Sequence, residues 1–174
     1  MTDVRLDRAR GDDLGDAAQW DAVEEATELL HEERFREALV ELHGVLKHDP
    51  KNAYAYYFLG IALYESGELE PARDAYQACV RLAPRHLGAR VALSHVRRKL
   101  GDLKGAIREG AEALEQEPGD GDALYAVGLA YLARGDSVAA RKYLSAFLEA
   151  QPEFEVATEV RAILDALARG DGPG

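Results

Sequence analysis

Residues 53–86 read AYAYYFLGIALYESGELEPARDAYQACVRLAPRH, two apolar stretches of helical spacing with Ser66-Gly67 between them and Pro84 near the close. The same phrase length recurs on both sides. Pro50, Pro84, Pro118 and Pro152 stand 34 residues apart, each after an apolar stretch of helical period, and divide the chain into units at 19–52, 53–86, 87–120 and 121–154. A fixed period of this size is the mark of a repeat array.

Like residues then fall in register. Unit two carries Tyr56, Leu59, Gly60, Tyr64, Gly67, Ala72, Tyr76, Cys79 and Pro84; unit four repeats it with Leu124, Val127, Gly128, Tyr131, Gly135, Ala140, Leu144, Phe147 and Pro152. Unit three keeps Leu93, Ser94, Gly101, Ala106, Ala113 and Pro118, and unit one keeps Ala26, Leu29, Ala38, Leu42, Val45 and Pro50, with Glu25 and Glu33 where Leu and Gly are usual. This pattern resembles the tetratricopeptide repeat over residues 19–154. The resemblance implies an all-α fold, a right-handed superhelical solenoid of about four helix-turn-helix repeats.

The residue chemistry supports two antiparallel helices per unit. Gly67, Gly101 and Gly135 fall where the chain reverses and a positive φ is cheap for glycine. Glu33 departs from that rule, so the first turn is expected to be longer or to take another geometry. Small residues at Gly60, Ser94, Gly128, Ala38, Ala72, Ala106 and Ala140 let paired helices approach, the prolines stop each second helix, and Asn52 and Asp120 are candidate caps. Beyond Pro152, residues Val156, Val160, Ile163, Leu164 and Leu167 share one helical face, which predicts a capping helix over 155–170 that ends at Gly170. Nine helices are expected, with Trp20 opening the first. Residues 1–18 and 171–174 lack periodicity and are read as mobile tails.

Composition narrows the function. The 174 residues are 47% hydrophobic and 30% charged, an ordinary folded composition. The net charge of -11, from 32 acids against 21 bases, disfavours nucleic acid and an anionic membrane surface as partners. A single cysteine, Cys79, excludes an internal disulfide. No apolar run has the length of a signal peptide or of a membrane span, so no membrane insertion is expected and the cytoplasm is the simplest address. Acidity is uneven, since unit one holds nine acids against four bases whereas unit three holds six of each.

No catalytic constellation emerges. His31, His43, His48, His86 and His95 lack metal-ligand spacing and are read as solvated surface residues, so no metal is expected. Ser66, Ser94, Ser137 and Ser145 have no nucleophile-elbow context, and Cys79 occupies a small repeat position suited to a packed thiol. Neither an enzyme activity nor a cofactor is expected.

What remains is a surface. The family resemblance implies that the first helix of each unit lines a concave groove through its positions 2, 5, 6, 9, 12 and 13. In unit two these are Tyr54, Tyr57, Phe58, Ile61, Tyr64 and Glu65. Unit three supplies Gly88, Val91, Ala92, His95, Arg98 and Lys99; unit four supplies Asp122, Tyr125, Ala126, Leu129, Leu132 and Ala133; unit one supplies Trp20, Val23, Glu24, Thr27, Leu30 and His31. The expected peptide-binding residues are therefore Tyr54, Tyr57, Phe58, Ile61, Tyr64, Val91, His95, Arg98, Lys99, Tyr125, Leu129 and Leu132, with Arg98, Lys99 and His95 meeting an acidic group. The opposing reading packs some of these rings between helices or under the N-terminal tail.

The resulting expectation is a non-enzymatic adaptor or scaffold that holds a peptide or helix of a protein partner. The Lys/Asn/Arg clamp by which some family members hold a chaperone C-terminus is absent, since Val23, Thr27, Tyr57, Ile61, Gly88 and Ala92 stand in its places. One alternative is a bacterial secretion chaperone of the type III translocator class, which the stretch Pro152-Glu153-Phe154-Glu155 is similar to; another is self-association through the same groove.

Overall fold

The computed structural model describes residues 17–170, and every regular element among them is an α-helix. In chain order these are α1 (Ala17–Asp21), α2 (Glu24–His31), α3 (Phe35–His48), α4 (Ala53–Glu65), α5 (Leu69–Leu82), α6 (Leu87–Lys99), α7 (Leu103–Gln116), α8 (Gly121–Ala133), α9 (Ser137–Glu149) and α10 (Phe154–Arg169). The chain divides between Val96 and Arg97 into two compact units. The expected tails lie outside the described residues except Ala17 and Ala18, which open α1.

Ten helices among the described residues replace the nine expected because the first is broken at Ala22–Val23. The Val23 N–H reaches back only three residues, to the Trp20 carbonyl at 3.0 Å, and the Thr27 N–H then takes the Val23 carbonyl at 3.0 Å. That tightened bond ends one helix and the next bond starts another.

The four reversals within helix pairs share one geometry. Gly67, Gly101 and Gly135 have φ of 81°, 82° and 82°. Gly67 N–H bonds to the Tyr64 carbonyl and Glu68 N–H to that of Leu63; the Arg98/Arg97 and Leu132/Tyr131 carbonyls serve the other two glycine turns. This doubled closure satisfies carbonyls that the helix end leaves free. The first turn makes the same pair, Glu33 N–H to Leu30 and Arg34 N–H to Leu29. Glu33 accordingly takes φ 57°. The different geometry expected there does not occur, because two main-chain bonds outweigh the steric cost of one Cβ.

Proline punctuation acts through the residue before it. The helices α3, α5 and α7 end at His48, Leu82 and Gln116, and Asp49, Ala83 and Glu117 leave helical geometry at φ -129°, -131° and -141°. The pyrrolidine ring disfavours helical backbone at the preceding position. The α9 end differs, since Gln151, ahead of Pro152, turns left-handed at φ 53°.

Close approach needs small residues. In the first unit α4 packs on α5, and a Cβ added at Gly60 would stand 2.5 Å from the Tyr76 ring. In the second unit α8 packs on α9, and a Cβ at Gly128 would meet Leu144 at 2.7 Å. Leu124, Leu144 and Phe147 form a core there with Val160 of α10, flanked by Ile163 and Leu164. Arg141 fastens the far end of α10 by donating to the Leu167 carbonyl at 2.9 Å, before Gly170 ends the helix with φ 81°.

Candidate functional site

The first unit builds an aromatic cluster from the start of α4. Asn52 caps that helix by accepting from the Ala55 N–H at 2.9 Å, which fixes the direction in which Tyr54, Tyr57 and Phe58 leave it. Trp20 meets Tyr54 and Phe58 edge-on, at ring separations of 5.4 and 5.8 Å. Tyr57 lies 5.3 Å from Phe58, 6.1 Å from Tyr76 and 4.6 Å from His86. These tilted and edge-on arrangements suit the ring quadrupoles.

Four of the twelve expected peptide-binding residues are consequently not surface. Phe58 is 0% exposed, Tyr57 2%, Tyr54 5% and Val91 6%. The expectation that these side chains stand open to a ligand is corrected: rings from α1, α5 and the segment before α6 cover the three aromatic ones, and Val91 is packed within α6's buried face. Ile61, Tyr64 and His95 keep part of their surface.

His86 departs further from its reading as a solvated residue. Its Nδ1 accepts from the Ala89 N–H at 3.1 Å, capping α6 as Asn52 caps α4. Its Nε2 is buried without a hydrogen-bond partner. Burial lowers its pKa to about 4. Asn52, His86 and Asp120 lie 34 residues apart, and Asp120 accepts from the Ala123 N–H at 2.8 Å. That register was the available signal for the histidine cap.

The second unit offers a different face. Arg97 is engaged, with Asp102 at 2.6 Å and Glu109 at 3.9 Å. The Asp102 carboxyl is held below the usual range first by the Gly105 N–H and then by Arg97. Arg98 beside it is half-buried, with its Nε buried and without a hydrogen-bond partner, whereas Lys99 is exposed. Tyr125 packs on Phe147 at 5.0 Å. Burial pushes its hydroxyl pKa up, Glu159 adds to that, and Arg98 opposes it. Leu129 and Leu132 follow on α8, each partly exposed.

Cys79 is buried, and burial pushes its thiol up to about 12, so it remains protonated at neutral pH. Among the described residues no three His, Cys, Asp or Glu side chains are grouped to hold a metal ion, and no helix is long and apolar enough to cross a membrane.

Two tetratricopeptide-repeat family profiles match the chain, one over residues 23–86 and the other over 97–164. The chain belongs to the tetratricopeptide repeat family. Its all-α fold is that of the family's repeat arrays. Among solved structures, MamA is 26% identical with a TM-score of 0.70 over 76% of this chain and 78% of that one. TTC0263, a thermophilic repeat protein of Thermus thermophilus, is 23% identical with a TM-score of 0.69 over 88% and 83%. The first repeat domain of Spaghetti (RPAP3), bound to the HSP90 peptide SRMEEVD, is 18% identical with a TM-score of 0.64 over 67% and 93%. None of the curated proteins compared matches the chain.

Proposed function

We propose that this repeat protein is a non-enzymatic adaptor that holds a peptide or helical segment of a partner protein. One observation carries the reading: α4, AYAYYFLGIALYE, and α8, GDALYAVGLAYLA, are apolar on all sides, with one charged residue each. A helix of that kind is at home when fully covered, yet Ile61 and Tyr64 on α4 and Tyr125, Leu129 and Leu132 on α8 keep exposed area. Apolar surface of that sort in a chain that is 30% charged suits a protein-recognition role. The peptide held by the Spaghetti repeat domain supports the same use of the fold.

In the second unit Arg98 and Lys99 supply positive charge at the end of α6, and an acidic residue of the partner would meet them. In the first unit Ile61, Tyr64 and His95 are among the partly exposed positions. The test is quantitative affinity capture from the native source with Leu129→Asp combined with Leu132→Asp, against Val138→Asp on the exposed start of α9. Loss of the partner with the double variant alone supports the reading; equal capture by wild type and both variants refutes it. The secretion-chaperone and self-association alternatives use the same surfaces. Co-expression with an apolar translocator-like client and light scattering at rising concentration separate them from the adaptor.

A further inference from the structure

Trp20 of α1 is one of the groups that cover Tyr54 and Phe58, alongside His86 and Tyr57. From Val23 onward the chain is anchored, since Val23 and Ala26 are wholly buried. The five-residue α1 ahead of it buries no residue, and a helix of that length has no stability of its own in water. Three groups hold it on α4 and on the two residues ahead of that helix. Trp20 stands edge-on to Tyr54 and Phe58, the Gln19 carbonyl accepts from Asn52 Nδ2 at 2.9 Å, and Gln19 Nε2 donates to the Lys51 carbonyl at 3.4 Å. The turn at Ala22–Val23 separates this segment from the anchored part.

The surface under α1 thus offers two aromatic rings, one amide donor and one main-chain carbonyl acceptor. That is what a peptide needs for side-chain and main-chain recognition together. We propose that α1 is a displaceable cover, and that the surface beneath it binds a peptide segment presenting tryptophan or another aromatic side chain in place of Trp20, with the preceding main-chain carbonyl on Asn52. The chain's own indole is the template for the ligand. This rests on the reading of α4 as a peptide-binding helix and names the class of residue it takes. Because Trp20 is tethered, it competes at the high effective concentration of an intramolecular ligand, and a partner must supply more contacts than α1 does.

The test uses the full chain and a capped synthetic peptide, AAQWDAVEE, which repeats residues 17–25. Calorimetric titration into Trp20→Ala protein should show binding at least ~10-fold tighter than into wild type, since removal of the indole weakens the intramolecular competitor to its two Gln19 contacts. The peptide with its tryptophan replaced by alanine should bind neither protein. Equal binding to both proteins, or no binding to folded Trp20→Ala protein, overturns the proposal. Should Trp20→Ala not fold, wild type labelled with 5-fluorotryptophan decides the matter, because Trp20 is the sole tryptophan. A second, solvent-like fluorine resonance that grows with the unlabelled peptide supports displacement; an unchanged single resonance at millimolar peptide overturns it. Failure here would leave capture through Leu129 and Leu132 untouched, and failure of that capture would leave the titration standing.

Discussion

Replacing Glu33 by glycine should stabilise the protein. Glu33 is held at φ 57° by the same pair of main-chain bonds that closes the three glycine turns. A side chain in this region costs about 1–2 kcal/mol, and glycine returns about 0.5–1 kcal/mol of that through its freer unfolded chain. The expected net gain is about 0.5–1 kcal/mol for Glu33→Gly. Removal of one negative charge from an acidic segment would contribute as well, so Glu33→Ala is the control, with the charge gone and the Cβ retained. Urea unfolding followed by far-ultraviolet circular dichroism reads the loss of the helices themselves. The midpoint should rise for glycine relative to alanine, and Gly67→Ala should lower it by a similar amount. Equal midpoints for Glu33→Gly and Glu33→Ala, with an unaffected Gly67→Ala, would refute the argument that the turn stores strain at this residue.

Three further outcomes are expected from the same structure. Desolvation of the half-buried His86 ring lowers its pKa from 6.5 to about 4, so the contribution of its neutral form is complete above pH 6.5 and is lost as the pH falls toward 4. Integrated over that interval the loss is up to about 3 kcal/mol; urea titrations across the window should show it, and His86→Asn, which keeps a capping acceptor, should flatten the dependence. Gly60→Ala pushes a methyl into the Tyr76 ring and should cost about 1–3 kcal/mol of stability by thermal unfolding, whereas Gly44→Ala, with open space around it, should not. Arg98→Gln should weaken capture of an acidic partner by a factor of about 5, an effect that shrinks at high salt; a salt-independent affinity unchanged by the substitution would remove Arg98 from the binding surface.

Helix boundaries are legible in the sequence because their causes are local. Proline acts on its own neighbour, glycine on its own φ, and Asn52 and Asp120 on main-chain groups three residues away. The His86 cap is harder to read because an imidazole is an uncommon acceptor there, although it stands in the Asn52 and Asp120 register. Glu33 misleads for the opposite reason: its poor fit to a left-handed turn belongs to the residue, while the outcome is decided by two bonds contributed by the preceding helix. The face of α4 is harder still. Its assignment to a groove comes from family resemblance, but whether a ring there is open depends on Trp20, Tyr76 and His86, which arrive from three separate stretches of chain. No periodicity within α4 can report that. On α8 Tyr125, Leu129 and Leu132 are each partly exposed, with Tyr125 packed on Phe147.

The proposal that α4 and α8 are each the working face of their own unit is tested most directly by hydrogen exchange on the protein with its captured partner bound. Added protection should appear on α4 and α8, with the segment at 125–132 affected, while α5, α7 and α9 exchange as in the free protein. Protection confined to α5, α7 and α9, with α4 and α8 unchanged, would contradict the account.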